Sequence, residues 1–339
     1  VNGRLLRWLM SLALPTGNGS GDGPRLTILR HHRVFENGDR PLYRLGVSER
    51  VLAEQVAMLR GAGLGPVTVA EGLERLAEGR PGHWVAFSFD DGYADNVHRA
   101  LPILRRAGAR ATFYLTAGLM DERRVPWWDI MAHAVATTTR ERLVWDVAGR
   151  RLDLPLSDER ARRVALAHVL PCFRVDPAEQ TRRLETLCDT LAVTSHAACE
   201  LATWDEAAQL AEAGMEVGAH TLDHPYLDHL PAAAQSAEIT GSIERIHARL
   251  GLRPEGFAFP GGAYDASSVD ACRRAGLTYA VTTRAGDNRA RAPRFELLRR
   301  GFDEGMCLGP GGRFSRRLAW AEIDGAFDRL RRTRREAFA

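Results

Sequence analysis

The sequence predicts an α/β fold, barrel-like and open or closed, with a mostly helical insertion. Three observations predict it. Short apolar runs alternate with helically spaced ones in the β–turn–α–β order that lays strands side by side in parallel. Clusters of Asp, His and Gly follow several of those runs, where the carboxyl ends of parallel strands gather functional groups. From 121 to about 200 the strand rhythm lapses into a stretch rich in Arg, Glu, Ala and Leu.

The elements follow in order. Residues 1–24 form an N-terminal segment ending in a Gly-rich linker, 17–24 (GNGSGDGP). Its apolar run falls short of the roughly 20 residues a bilayer span requires and lacks a signal-peptide cleavage site. It reads as a helix that either packs on the domain or lies at a membrane surface. Leu26–Leu29 is a strand ending at Arg30-His31-His32-Arg33. Residues 48–62 are a helix, with Ser48 as N-cap and Val51, Leu52, Val56 and Leu59 at helical spacing. Residues 66–70 read as a short strand and 71–78 as a short helix. Trp84–Phe89 is a strand that runs into Asp90-Asp91-Gly92. A helix carries Leu101, Ile103 and Leu104, and Ala111–Ala117 is the next strand. The insertion opens with Trp127-Trp128-Asp129. Strands resume at Met215–Ala219, Gly256–Phe259, Thr278–Thr282 and Glu296–Arg300, giving six to eight in a domain from 25 to 303. The tail, 304–339, carries an amphipathic helix from Arg316 to Ala339 that ends in the basic run RLRRTRRE. A solvated helix face is the ordinary reading of such a run.

Composition narrows the chemistry. The chain has 339 residues, 45% hydrophobic and 26% charged, enough for a sizeable core. A net charge of only +3 and no aromatic–basic surface motif argue against a nucleic-acid partner. All 46 basic residues are Arg, which excludes a Schiff-base or Walker-type lysine. Cys172, Cys188, Cys199, Cys272 and Cys307 are scattered and form no CxxC pair, so they read as free thiols of a reducing compartment. With no secretion signal, the expectation is a cytoplasmic protein, with membrane association left open and no obligate protein partner evident.

Three motifs carry chemistry. In VAFSFDDGY, Asp90 and Asp91 end a strand, and Gly92 permits a sharp exit. One carboxylate can bind a metal while its neighbour takes a proton; the pair would serve equally as a helix N-cap. In GAHTLDHPYL, His220 and His224 stand four apart, and on a helical turn both imidazoles can meet one ion. In FAFPGGAYD, a strand enters Pro260-Gly261-Gly262, whose amides can face an oxyanion or simply close a tight turn.

Together SFDDGY, GAHTLDHPYL and FAFPGGAYD resemble the first three motifs of the polysaccharide deacetylase family (NodB-homology domain, carbohydrate esterase 4). LTILRHHRV resembles the first strand of the branch that includes the poly-β-1,6-N-acetylglucosamine deacetylases. The resemblance covers roughly 25–120 and 205–303. It implies a distorted (β/α) barrel of the NodB-homology type with one divalent ion, zinc before Co2+, Ni2+ or Mn2+. It implies Asp91, His220 and His224 as ligands and Asp90 as general base. Many members have Arg before the Pro of the third motif, where this chain has Ala258 and Phe259. Many take their general acid from a C-terminal His, but no histidine follows His247. The branch with the early histidine is similar to this chain, which points to His32, with His31 where Tyr is usual and as the alternative. Arg299 resembles an arginine that contacts the catalytic Asp, with Arg300 the alternative register. Pro260, Gly261, Gly262, Tyr264 and Trp128 are the substrate-binding candidates. Trp127 and Trp128 either stack on sugar faces or pack the insertion's own core.

The resemblance implies metal-assisted removal of N-acetyl groups from an amino sugar in a polysaccharide, oligosaccharide or lipid-linked glycan. The alternatives are a deformylase or ring-opening amidohydrolase on a small molecule, and a barrel that binds glycan without cutting it.

Overall fold

The computed structural model describes residues 3–13, 23–39, 41–43 and 45–328. Its strands are β1 (Arg25–His31), β2 (Arg33–Phe35), β3 (Gly46–Ser48), β4 (His83–Phe89), β5 (Ala111–Leu115), β6 (Arg142–Val147), β7 (Arg150–Pro155), β8 (Glu216–Ala219), β9 (Gly256–Ala258), β10 (Tyr279–Val281) and β11 (Arg300–Gly301). Seven of them make one parallel sheet in the order β10-β9-β8-β5-β4-β1-β11, the sheet of a distorted half-barrel. The strands β1 and β4 are buried along nearly their whole length because both sheet faces are covered. They pair from Arg25↔His83 to His31↔Phe89 without a slip. Their carboxyl ends are therefore level, and Arg30-His31-His32 emerges beside Asp90-Asp91.

Closure comes from a segment that is barely strand. Leu297 pairs with Val281 at one edge of the sheet, and Arg300 pairs with Leu29 at the other. The expected strand Glu296–Arg300 is thus a short bridge between edges, with ladder geometry only at Arg300–Gly301.

Other expectations shift for local reasons. Only Val67 of the expected strand 66–70 pairs, with Ala86; Thr68 then caps a helix at Val69–Ala77 through a capping box with Glu71. The strand expected to reach Ala117 stops at Leu115, and a short helix, Ala117–Asp121, begins. The insertion is helical at Trp127–Thr137, Glu159–Val169 and Pro177–Leu191, but it also holds the antiparallel hairpin β6–β7. Leu143, Trp145 and Val147 of RLVWDV point inward at period two. Ala148 and Gly149 between the strands both have positive φ, as a two-residue hairpin turn demands.

The N-terminal helix Gly3–Ala13 packs Trp8 and Met10 near Leu318, Ala321 and Phe327, and Arg7 ion-pairs with Glu322. It turns Leu6, Leu9 and Leu12 outward, each about half exposed. Among the described residues no helix is long and apolar enough to cross a membrane. The tail helix spans Arg316–Ile323 rather than running to the terminus, and a turn at Gly325 follows it. Most of the Gly-rich linker and the basic run from Arg329 onward lie outside the described residues.

Candidate active site and metal centre

The site forms where four strand ends meet. The amide of Asp90 donates to the His31 carbonyl at 3.0 Å, which holds β4 in register to its last residue. The backbone then turns through two left-handed residues, Asp91 (φ 77°) and Gly92 (φ 83°). A Cβ on Gly92 would meet Met120 Sδ at 2.9 Å, so a larger residue there would have to displace Met120 as well as hold a left-handed backbone.

After β8, the His220 amide donates to Leu115 O at 3.0 Å. The expectation that His220 and His224 share a helical turn is corrected here. The chain makes a tight non-helical loop in which Thr221 (φ 65°) and His224 (φ 57°) are both left-handed. Thr221 Oγ1 accepts from the His224 amide at 3.0 Å. Glu238, on the helix Ala232–Leu250, accepts from the amides of Leu222 (2.9 Å) and Asp223 (3.1 Å). This half-buried carboxylate pins the loop that presents both imidazoles.

Asp91, His220 and His224 each offer one ligand atom, all within 4.8 Å of one another, and could hold a metal ion. Asp91 Oδ1 lies 3.3 Å from His220 Nε2 and 3.6 Å from His224 Nε2. His220 donates through Nδ1 to Ala258 O at 2.6 Å, which fixes its tautomer and leaves Nε2 facing Asp91. His224 has no such bond; its Nδ1 is buried without a partner. The Trp128 ring lies 4.3 Å from its ring and orients it by packing instead. Two imidazole nitrogens and one carboxylate oxygen suit a divalent cation. Burial holds the His224 imidazole down at about 3, helped by His220. A neutral imidazole is the form a cation takes.

Asp90 is clamped. Arg299 donates to Oδ1 at 2.6 Å and to Oδ2 at 2.8 Å, and also to Thr282 O (2.9 Å) and Ser88 Oγ (3.2 Å). Burial alone would raise the Asp90 carboxyl; Arg299 more than offsets this and holds it well below the usual range. Arg299, not Arg300, is the arginine on Asp90, since Arg300 pairs with Asp287 and Asp328. His32 Nε2 lies 3.9 Å from Asp90 Oδ2, and burial lowers its pKa to about 4. His31 turns to the other side of β1, fully buried, stacked on Phe89 and bonded to Gln55. Of the two histidines only His32 faces the site.

These groups line a cleft of about 300 Å³, with Arg30, Tyr43, Trp127, Tyr226, Gly261 and Thr283 among its other walls. Gly261 takes φ 58° against Tyr226. The expected pair of glycine amides is reduced to one, because the Gly262 N–H closes the turn on Phe259 O at 2.9 Å. Pro260 is buried, and Tyr264 stacks on Phe259 rather than lining the cleft. Trp128 lines the same cleft, is 4% exposed and packs on His224. Its Nε1 donates to Tyr93 Oη (2.7 Å), whose hydroxyl donates to Asp129 Oδ2 (2.9 Å). Burial pushes Asp129 up to about 7. A larger cavity, about 480 Å³, lies between residues 35–50 and 303–312 and contains none of the candidate residues.

Sequence reading missed Glu238, Tyr93, Asp129 and Arg30. Alternation along β1 puts Arg30 on the same side as His32, a signal that was present. Nothing in the sequence marks Glu238, which reaches the loop from a helix.

The profile of the family described as polysaccharide deacetylase matches residues 77–148 and 179–280. An uncharacterized protein of Streptomyces coelicolor is 38% identical over 82 residues, 24% of this chain; the chain spans about a third (33%) of that relative's length. The Streptococcus pyogenes deacetylase PplD in complex with acetate superposes with a TM-score of 0.56 at 17% identity, over 86% of this chain and 96% of that one. IcaB from Ammonifex degensii gives 0.53 at 21%, over 89% and 98%. At these identities the structural likeness is one of fold.

Proposed function

Because the chain belongs to the polysaccharide deacetylase family, we propose that it is a metal-dependent hydrolase that removes the N-acetyl group from an amino sugar in a polysaccharide, oligosaccharide or lipid-linked glycan. One observation carries the reading: a two-His, one-Asp ligand set lies beside a second carboxylate that an arginine holds ionised.

Asp91, His220 and His224 would hold the ion, with zinc the first choice on donor type. Once bound, a divalent ion supplies Lewis acidity to a water and to an amide carbonyl. The chain's own residues handle protons and position. Asp90 is anionic throughout the working pH range and accepts the proton of the attacking water. Arg299 keeps both its oxygens in place. His32, neutral in the resting cleft, takes that proton on Nε2 and passes it to the departing sugar nitrogen. The Gly261 amide is the backbone donor nearest in role to an oxyanion partner.

The test is acetate release. The metal-loaded protein should liberate acetate from N-acetylated oligosaccharides, and Asp90→Asn should lose about 10²–10⁴-fold in kcat while keeping its metal. Turnover of small formamides or allantoin without acetate from any N-acetyl sugar would replace this reading with the small-molecule amidohydrolase. Glycan binding with full metal occupancy and no acetate would make the protein a non-catalytic barrel.

A further inference from the structure

Among the described residues, Arg30 stands in the cleft without a hydrogen-bond or ion-pair partner. It lies on β1 two residues before His32 and lines the same cavity as His32, Asp90 and Asp91. Among the described residues, no side chain hydrogen-bonds or ion-pairs its guanidinium, and its Nε is buried and unsatisfied. The neighbouring arginines are all engaged. Arg299 is committed to Asp90, Arg33 to Asp95 and Glu200, and Arg300 to Asp287 and Asp328.

A guanidinium cannot shed its proton, and leaving its buried Nε unpaired is costly. Asp90, Asp303 and Asp91 act on it through space, which offsets burial and the nearby Arg299 only in part, and none of them pairs with it. Asp90 is already neutralised by Arg299, and Asp91 belongs to the ligand set, whose divalent ion would leave positive charge to spare. Asp303 also fails to form an ion pair with Arg30, though its charge is felt there, and it lines the separate, larger cavity. The positive charge of Arg30 is thus free to act on whatever enters the cleft. Its planar fork matches the oxygens of a phosphate or a carboxylate.

We propose that Arg30 is a substrate-binding residue for an anionic group, a phosphate or a carboxylate, carried by the amino sugar or by its immediate linkage. The cleft is small, about 300 Å³, so the anion and the reacting acetamide must sit on the same or adjoining units. The inference rests on the deacetylase reading and narrows its substrate class.

The experiment compares the metal-loaded full chain with Arg30→Met and Arg30→Lys. Three substrates are assayed by acetate release at low salt: neutral tri-N-acetylchitotriose, N-acetylglucosamine 1-phosphate and N-acetylmuramic acid. Calorimetric binding of N-acetylglucosamine 1-phosphate is measured in parallel. We expect an anionic substrate to be preferred. R30M should lower kcat/KM for it about 10–100-fold more than for the neutral trisaccharide, mostly through KM, the range of a lost charge-assisted hydrogen bond. The phosphate and carboxylate arms tell the two sources apart. R30K should fall between wild type and R30M, and decides the matter if R30M fails to fold. An equal loss on neutral and anionic substrates would overturn the proposal and make Arg30 structural. Efficient release from the trisaccharide with no anionic preference would also overturn it while leaving the deacetylase reading intact. No acetate from any substrate defeats the deacetylase reading. Sugar-phosphate binding that is weaker in R30M would then still support the anion subsite, and equal binding would end it.

Discussion

Arg299 spends one guanidinium on four hydrogen bonds, to Asp90 twice, to Ser88 and to the Thr282 carbonyl. It is 1% exposed, and Asp90 is 3% exposed. Removing the cation from so deep a pair leaves a bare carboxylate in the core. Arg299→Met should therefore cost about 3–5 kcal/mol in chemical denaturation. Arg299→Lys keeps the charge but loses the fork, and should lower kcat while metal content stays at the wild-type level. If Arg299→Met unfolds at the wild-type midpoint, Asp90 is not held as described. At this scale the residues by themselves exposed the chemical types, and only the family resemblance set Asp91 with the histidines and Arg299, or Arg300 in the alternative register, on Asp90. DDG showed two carboxylates; that Asp90 faces the arginine and Asp91 the histidines follows from the left-handed turn at Asp91. The resemblance pointed to His32 before His31, and alternation along β1, which runs through His31, turns the two to opposite sides.

Elements explain why the ligands hold still. The loop after β8 has two left-handed non-glycine residues, a conformation costing of order 1–3 kcal/mol for each. Glu238 offsets this by accepting two of the loop's amides from a long helix. Glu238→Ala should lower metal affinity about 10–100-fold, as loss of a ligand's supporting shell does. Titration with zinc or cobalt measures this, and unchanged affinity would show that the loop needs no anchor. The spacing of His220 and His224 was legible, but the helical turn inferred from it was not the element that forms. Pro225 and the carbonyl-bonded strand end favour a loop instead. The β6–β7 hairpin was hidden for a different reason: its alternation spans only six residues on each side within a helix-rich neighbourhood.

The whole molecule is a sheet whose two edges are joined by residues 297–301, with the site at the carboxyl rim and a polar plug near the opposite end. His83 belongs to that plug. Arg25 lies 3.1 Å from its Nδ1, its Nε2 lies 2.9 Å from Thr27 Oγ1, and Thr27 donates to Asp287. Donation from Arg25 requires a neutral imidazole. Burial first, then Arg25, lowers the His83 pKa to about 4 from its ordinary 6.5. The unfolded chain takes up this proton first, so stability is complete above about pH 6.5 and is lost as pH falls towards about 4. His83→Gln, which can keep both bonds, should flatten that part of the profile. Denaturation midpoints between about pH 7 and about pH 4.5 measure it, and parallel profiles would contradict the account. By itself, the sequence determined the α/β class, the approximate strands and the identities of the ligand candidates, because burial periodicity and local turn chemistry are written in neighbouring residues. Only the tertiary structure decided that Arg299 rather than Arg300 grips Asp90, that Trp128 packs on His224, that Glu238 anchors the histidine loop and that Arg30 has no partner among the described residues. Each of these is a contact between distant segments, fixed by strand register and barrel closure rather than by anything local.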